Sequence, residues 1–127
     1  MTTFVELLLG GLSIGSVYAL IALGFVVIFK ATEVVNFAHA SLLLAGGYVT
    51  AVLHNDIGFW PALLVGIAGA ATVGAGIEFF VMRRYRGSDH SVLAIVTIGV
   101  DILLITELTR RMGTDVLALG DPWGNEV

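Results

Sequence analysis

Four polar side chains stand inside long apolar stretches of this chain. Asn36 and His39 are three residues apart, and Thr97 and Asp101 are four apart. An Asn three residues ahead of a His at the start of an apolar run can cap the first helical turn through its side-chain oxygen. The imidazole, with two ring nitrogens that can donate or accept, then sits at the same helix end. The pair reads equally as a helix that begins inside a membrane and presents its N–H groups to a solute pathway, as the discontinuous helices of transporters do. Spacing alone leaves both roles open. Asp101 is the costliest residue in the chain, because a carboxylate near the middle of a span costs roughly 2.5–3.5 kcal/mol on insertion scales. Thr97, one turn earlier on the same face, is placed to share a hydrogen bond with it, and no Lys or Arg lies within reach along the same helix. An intramembrane acid is a functional candidate by default, and a hydrogen-bonded acid facing a bundle interior is the other role such a residue takes.

No soluble catalytic constellation accompanies these residues. The chain has no Gly-x-x-x-x-Gly-Lys-Ser/Thr loop for nucleotide phosphates, no His-Glu-x-x-His pair and no Gly-x-Ser-x-Gly elbow. With no cysteine there is no thiol nucleophile, disulfide or Cys-type zinc site. We therefore expect no catalytic residue, no metal and no cofactor, and any ATP use belongs to a partner. A net charge of −4 and no run of basic residues longer than two argue against nucleic acid as a partner.

The elements that carry these residues follow from composition. Of 127 residues, 57% are hydrophobic and 13% charged, against about 45–50% and about 25% in a soluble domain. The chain has about half the charge a water-facing surface needs, so it reads as an all-α polytopic membrane protein. A helix needs about 20 apolar residues to cross roughly 30 Å of hydrocarbon. Four stretches approach or exceed that, predicting transmembrane helices over about residues 4–29, 34–53, 57–82 and 91–109. Residues 114–127 are polar, contain Gly120, Pro122 and Gly124, and read as an extramembrane loop or a truncated end. The first stretch lacks a basic n-region and exceeds a typical signal-peptide core of about 7–15 residues, so it is expected to remain in the protein.

Lys30, Arg83, Arg84 and Arg86 fall on one side of this topology and Arg110 and Arg111 on the other, which favours an outside N-terminus by the positive-inside rule. Glu107 has Arg110 and Arg111 at i+3 and i+4, the spacing of an interfacial ion pair. Helices in lipid associate through close backbone approach at small residues. Gly11, Gly15 and Ala19 repeat at i, i+4, i+8 in the first stretch and Gly66, Ala70 and Gly74 in the third, with Ala38, Ser41 and Ala45 forming a stripe on the second. These are expected packing faces, and three of them imply more helices or a second subunit.

The blocks Gly11-Leu12-Ser13-Ile14-Gly15-Ser16-Val17-Tyr18-Ala19-Leu20-Ile21-Ala22-Leu23-Gly24-Phe25, Val35-Asn36-Phe37-Ala38-His39, Arg84-Tyr85-Arg86-Gly87-Ser88 and Ala94-Ile95-Val96-Thr97-Ile98-Gly99-Val100 occur in a telling order and spacing. In both respects the chain resembles the inner-membrane permeases of branched-chain amino acid ABC importers, from about Leu9 to Gly113. The resemblance implies a translocation subunit rather than an enzyme. It also implies a second permease subunit, cytoplasmic ATPase subunits, a periplasmic substrate-binding protein and a place in the cell inner membrane. Family members resemble one another in having roughly twice this length, so the chain is expected to be the N-terminal half of a permease. Two departures from the pattern stand out. Ala40 and Ser41 follow Asn-Phe-Ala-His where the family usually has Gly and an acidic residue, and Asp101 stands where the family residue is usually small and uncharged.

A competing class is a self-contained four-helix membrane protein, such as a small proton-coupled exporter using Asp101. Such exporters resemble one another in a central Glu in the first span, whereas Glu6 lies at the edge of the stretch here.

Overall fold

The computed structural model describes residues 2–114, 116–119 and 122. Among them are four α-helices, α1 (Thr2–Thr32), α2 (His39–Ile57), α3 (Phe59–Phe80) and α4 (His90–Met112), with one 3₁₀ turn, Met82–Tyr85, after α3. No strand occurs among the described residues. The chain is an all-α polytopic membrane protein in which α1, α3 with its 3₁₀ turn, and α4 are each long and apolar enough to cross a membrane. Most of the polar end, expected as a loop over 114–127, lies outside the described residues; those described there are not helical.

The chain divides into two units, Met1–Asn36 and Phe37–Val127. In the first, α1 runs for 31 residues and stops where Glu33 adopts a left-handed φ of 56°. The Glu33 N–H bonds Phe29 O at 2.7 Å, and the Thr32 hydroxyl donates to Ile28 O at 2.9 Å and accepts the Val34 N–H at 3.3 Å. These bonds satisfy carbonyls and a donor that a helix end leaves open.

In the second unit α2 and α3 form an antiparallel hairpin joined by Gly58 alone. The expected break at His54-Asn55-Asp56 does not form. The helix continues to Ile57, with His54 Nδ1 2.7 Å from Ala51 O. Gly58 can serve both helices because its backbone, at φ 84° and ψ 164°, lies in a region essentially open only to glycine. Its N–H closes α2 on His54 O at 3.0 Å, and its carbonyl accepts the Ala62 N–H at 3.2 Å. The two helices meet at small residues. A Cβ on Gly46 would lie 3.3 Å from the Ala70 Cβ and 3.2 Å from Gly66 O. Thr50 and Ala62 are buried at 2% and 0% exposure, and the Thr50 hydroxyl donates to Gly46 O at 2.9 Å.

The second helix departs most from expectation. An apolar helix over 34–53 was expected, but α2 starts only at His39 and is 19 residues long. Val34, Val35, Phe37 and Ala38 are thereby outside it, while the polar His54, Asn55 and Asp56 are inside. Helix α2 is accordingly absent from the elements that meet the length and apolarity of a span.

Candidate functional site

The segment around the start of α2 meets α4 at two points. The Phe37 N–H donates to Thr97 Oγ1 at 3.2 Å, and the Ser41 hydroxyl donates to the Asp101 carboxylate through Oδ1. The partners advance by four residues on both strands of this ladder, so α2 and α4 run in the same direction and the two links lie one turn apart. Asp101 is the twelfth of the 23 residues of α4. At a rise of 1.5 Å per residue, Thr97 and Asp101 lie about 10 and about 16 Å into α4 from His90. The α3 side agrees, because the Leu42 Cδ1 lies 3.8 Å from where a Cβ on Gly74 would be, and Gly74 is about 16 Å of helix rise from Tyr85. Helix α2 therefore starts beside the middle of one spanning helix and well inside the end of another.

This geometry places the residues singled out from sequence. His39 is the first residue of α2, half-buried, and lies in the chain between the two residues that link to α4. Asn36 belongs to the other unit. The N-cap of α2 is Ala38, at φ −73° and ψ 0°, with no side-chain hydrogen bond to the helix end. Thr97 is 2% exposed and its hydroxyl donates to Ala94 O at 2.7 Å. The hydroxyl that reaches Asp101 comes from Ser41 on α2, itself 1% exposed. A neutral hydroxyl is the donor to be expected where no cation is in reach, since buried polar groups need partners and an unpaired one is costly.

Sequence reasoning missed Ser41 as a site residue, placing it only in a small-residue packing stripe. The signal was that Ser41 is the one polar member of the stripe Ala38, Ser41, Ala45. Of the packing residues, Gly66 lies against Thr50 and the Gly46 carbonyl, Ala70 against Gly46, and Gly74 near Leu42. Gly11, Gly15 and Ala19 lie along α1 at the spacing read from sequence.

Beside the hairpin seam is a groove of about 380 Å³ lined by Leu42, Leu43, Gly46, Thr50, Ile67 and Ala70 among others. Its walls are almost wholly apolar, and the Thr50 hydroxyl hydrogen is already engaged by Gly46 O. The groove thus lacks the convergent polar groups that small-molecule sites use to fix a ligand's orientation. The arginines outside the helices are held loosely. Arg86 pairs with Glu78 at 3.0 Å with both side chains exposed, and Arg83 stacks over the Phe79 ring at 5.2 Å. At the end of α4, Glu107 pairs with Arg111 at 2.7 Å and Arg110 at 3.9 Å, the pairing its spacing predicts. Exposed pairs of this kind contribute little to stability.

The model of the family described as branched-chain amino acid transport system / permease component matches residues 7–121. The chain is 29% identical, over 127 aligned positions, to the high-affinity branched-chain amino acid transport system permease protein LivH of Escherichia coli K12; the alignment covers 91% of this chain and 41% of that protein. It is 28% identical to LivH of Salmonella typhimurium over 91% of this chain and 41% of that protein. The permease protein BraD of Pseudomonas aeruginosa is also 28% identical, over 80% of this chain and 36% of that protein. The chain thus spans about two fifths of the length of the curated relatives it matches. No solved structure matches it.

Proposed function

This chain belongs to the permease-component family of branched-chain amino acid transport systems, and from that premise we propose that it forms the N-terminal part of a permease subunit of an ATP-driven importer for branched-chain or related amino acids. The observation that carries the proposal is the start of α2 beside the middle of α4, linked by Phe37 to Thr97 and Ser41 to Asp101. Backbone that is not helical is tolerated at membrane depth only where protein or a water-filled cavity covers it, and transporters use such broken helices to line a central pathway. His39 at the mouth of α2, with Asn36, Thr97 and Asp101, is assigned to that pathway.

In this reading the permease pairs with a second permease subunit and receives its amino acid from a periplasmic binding protein. Two cytoplasmic ATPase subunits drive the alternation between access states. ATP can shift that equilibrium only through a difference in affinity for the two states, so the helices here supply the path and the partner supplies the bias. Membership of this family weighs against a self-contained exporter built on Asp101, as does the engagement of its carboxylate by Ser41.

The test is uptake of radiolabelled leucine, isoleucine and valine by the producing organism, with substitutions made at the chromosomal locus. Deletion of the locus is expected to lower uptake of at least one of the three, and unchanged uptake of all three would end the importer reading. Asn36→Ala and His39→Ala are each expected to lower uptake severalfold while the amount of protein in the membrane fraction stays at the parental level. Normal uptake in both variants would remove these residues from the pathway.

Orientation has its own measurement. With the N-terminus outside, Lys30, Arg83, Arg84 and Arg86 face the cytoplasm. Trypsin is then expected to cut at Arg83–Arg86 in inside-out vesicles and to leave that cluster intact in right-side-out spheroplasts. The reverse pattern would invert the topology.

A further inference from the structure

Asp101 is a carboxylate at the midpoint of a 23-residue apolar helix, and its side-chain donor is a hydroxyl from a different helix, 60 residues away in the chain. One turn earlier, the Phe37 N–H reaches Thr97 across the same interface. Helix α2 has no side-chain cap of its own, because its N-cap is Ala38. It begins next to residues that are almost completely buried, namely Ala38, Ser41 and Thr97. The start of α2 is thus linked to α4 at two successive turns.

We propose that Asp101 is a positioning residue for transport. Through Ser41, and together with the Thr97–Phe37 link, it forms a two-rung clasp that sets where α2 begins and so where His39 stands. The proposal deepens the importer reading and rests on it. The clasp works by hydrogen bonding. Ser41 donates, so an acceptor oxygen at position 101 is what the first turn of α2 requires; a formal charge is not. The interaction is reciprocal in space, and an acid supplied from α2 to a hydroxyl on α4 makes the same link.

The experiment exchanges the pair. Ser41→Asp alone opposes two carboxyl groups, and Asp101→Leu alone removes the acceptor. Each is expected to lower the uptake rate per molecule of membrane-inserted protein about tenfold, in the range of coupling between residues in contact. Asp101→Asn keeps an acceptor oxygen and is expected to lose less uptake than Asp101→Leu. The exchange Ser41→Asp/Asp101→Ser is expected to recover most of what Ser41→Asp loses. Normalising to protein in the membrane separates positioning from simple misfolding, which would lower the amount of transporter but leave the rate per molecule and the KM unmoved. If the exchanged pair is no better than Ser41→Asp, or Asp101→Leu transports normally, the clasp is overturned.

A second readout does not depend on transport. The chain has no cysteine, so Ser41→Cys/Asp101→Cys introduces its only two thiols. Oxidation in native membranes is expected to join α2 to α4, so that the tryptic fragments separated at Arg83–Arg86 stay together until reductant is added. Fragments that separate without reductant would disprove the contact. If the locus deletion leaves uptake intact while this cross-link forms, the importer reading falls and the contact stands; a missing cross-link with intact transport rejects the clasp alone.

Discussion

Replacing Gly66 by leucine is expected to remove most of the folded protein from the membrane, and Gly66→Ala is expected to destabilise it by about 1–3 kcal/mol, the usual cost of overpacking a tight contact. A Cβ at this position would overlap the Thr50 hydroxyl and lie 2.6 Å from the Gly46 carbonyl oxygen. The first neighbour is a side chain that can turn; the second is helix backbone that cannot move without displacing α2. Thr50→Ala/Gly66→Ala is therefore expected to recover part of the loss and not all of it. Gly76, in the same helix, has nothing within 4 Å of where its Cβ would stand, and Gly76→Ala is expected to leave stability unchanged. Thermal unfolding of the detergent-solubilised protein, followed by size-exclusion chromatography after heating, checks all four variants. Equal midpoints for Gly66→Ala and Gly76→Ala would show that the α2–α3 seam does not depend on close backbone approach. Apolar burial gives little association energy between helices in lipid, so the seam depends on contact distance more than a soluble core would.

The second large effect is expected at Gly58. Its φ of 84° and ψ of 164° place it in a region where a non-glycine residue costs on the order of 1–3 kcal/mol. It is also the single residue between α2 and α3, so no neighbouring loop residue can absorb the change. Crowding plays no part, because the nearest atom to an added Cβ is Pro61 Cδ at 4.0 Å. Gly58→Ala is thus a measure of backbone strain alone. The expected result is a lower unfolding midpoint by the same heating assay, with Gly58→Val lower again because a β-branched side chain adapts least to positive φ. A midpoint equal to the parent in both would mean that the hairpin turns by another conformation. Strain at Gly58 and overlap at Gly66 act on the same hairpin but lie eight residues apart in the chain, so their effects are expected to add within a few tenths of a kcal/mol if the two sites share no partner.

Much of the architecture was legible in the chain because membrane insertion reads composition. The runs that became α1, α3 and α4 are long and nearly free of charge, and hydrocarbon leaves such a run no stable state other than a helix. The i+3 and i+4 spacing from Glu107 gave the ion pairs at the end of α4 because helix geometry alone brings those side chains together. The reading of α2 was wrong at both ends for one reason. Hydropathy marks where a helix is allowed by the surrounding solvent, and it registers neither a hydrogen bond to another helix nor a glycine whose backbone can turn the chain. Val34 to Ala38 are apolar enough to continue a helix, but the Phe37 N–H bonds Thr97. His54, Asn55 and Asp56 are polar enough to end one, but Gly58 supplies the turn two residues later.

The polar site divides the same way. Residue types and spacing determined that Asn36, His39, Thr97 and Asp101 were the groups to watch, because each is out of place in an apolar run. Apolar patterning likewise determined an all-α membrane protein and its glycine-rich faces, and the four motif blocks carried its family likeness. Spacing could not determine that Ser41 and Asp101 touch each other. They are 60 residues apart on different helices, and helical periodicity relates only residues of one helix. Only the tertiary structure decided the acid's partner, the level along α4 at which α2 begins and the glycine where α2 and α3 approach most closely, because each is a property of the distance between helices and not of any helix by itself.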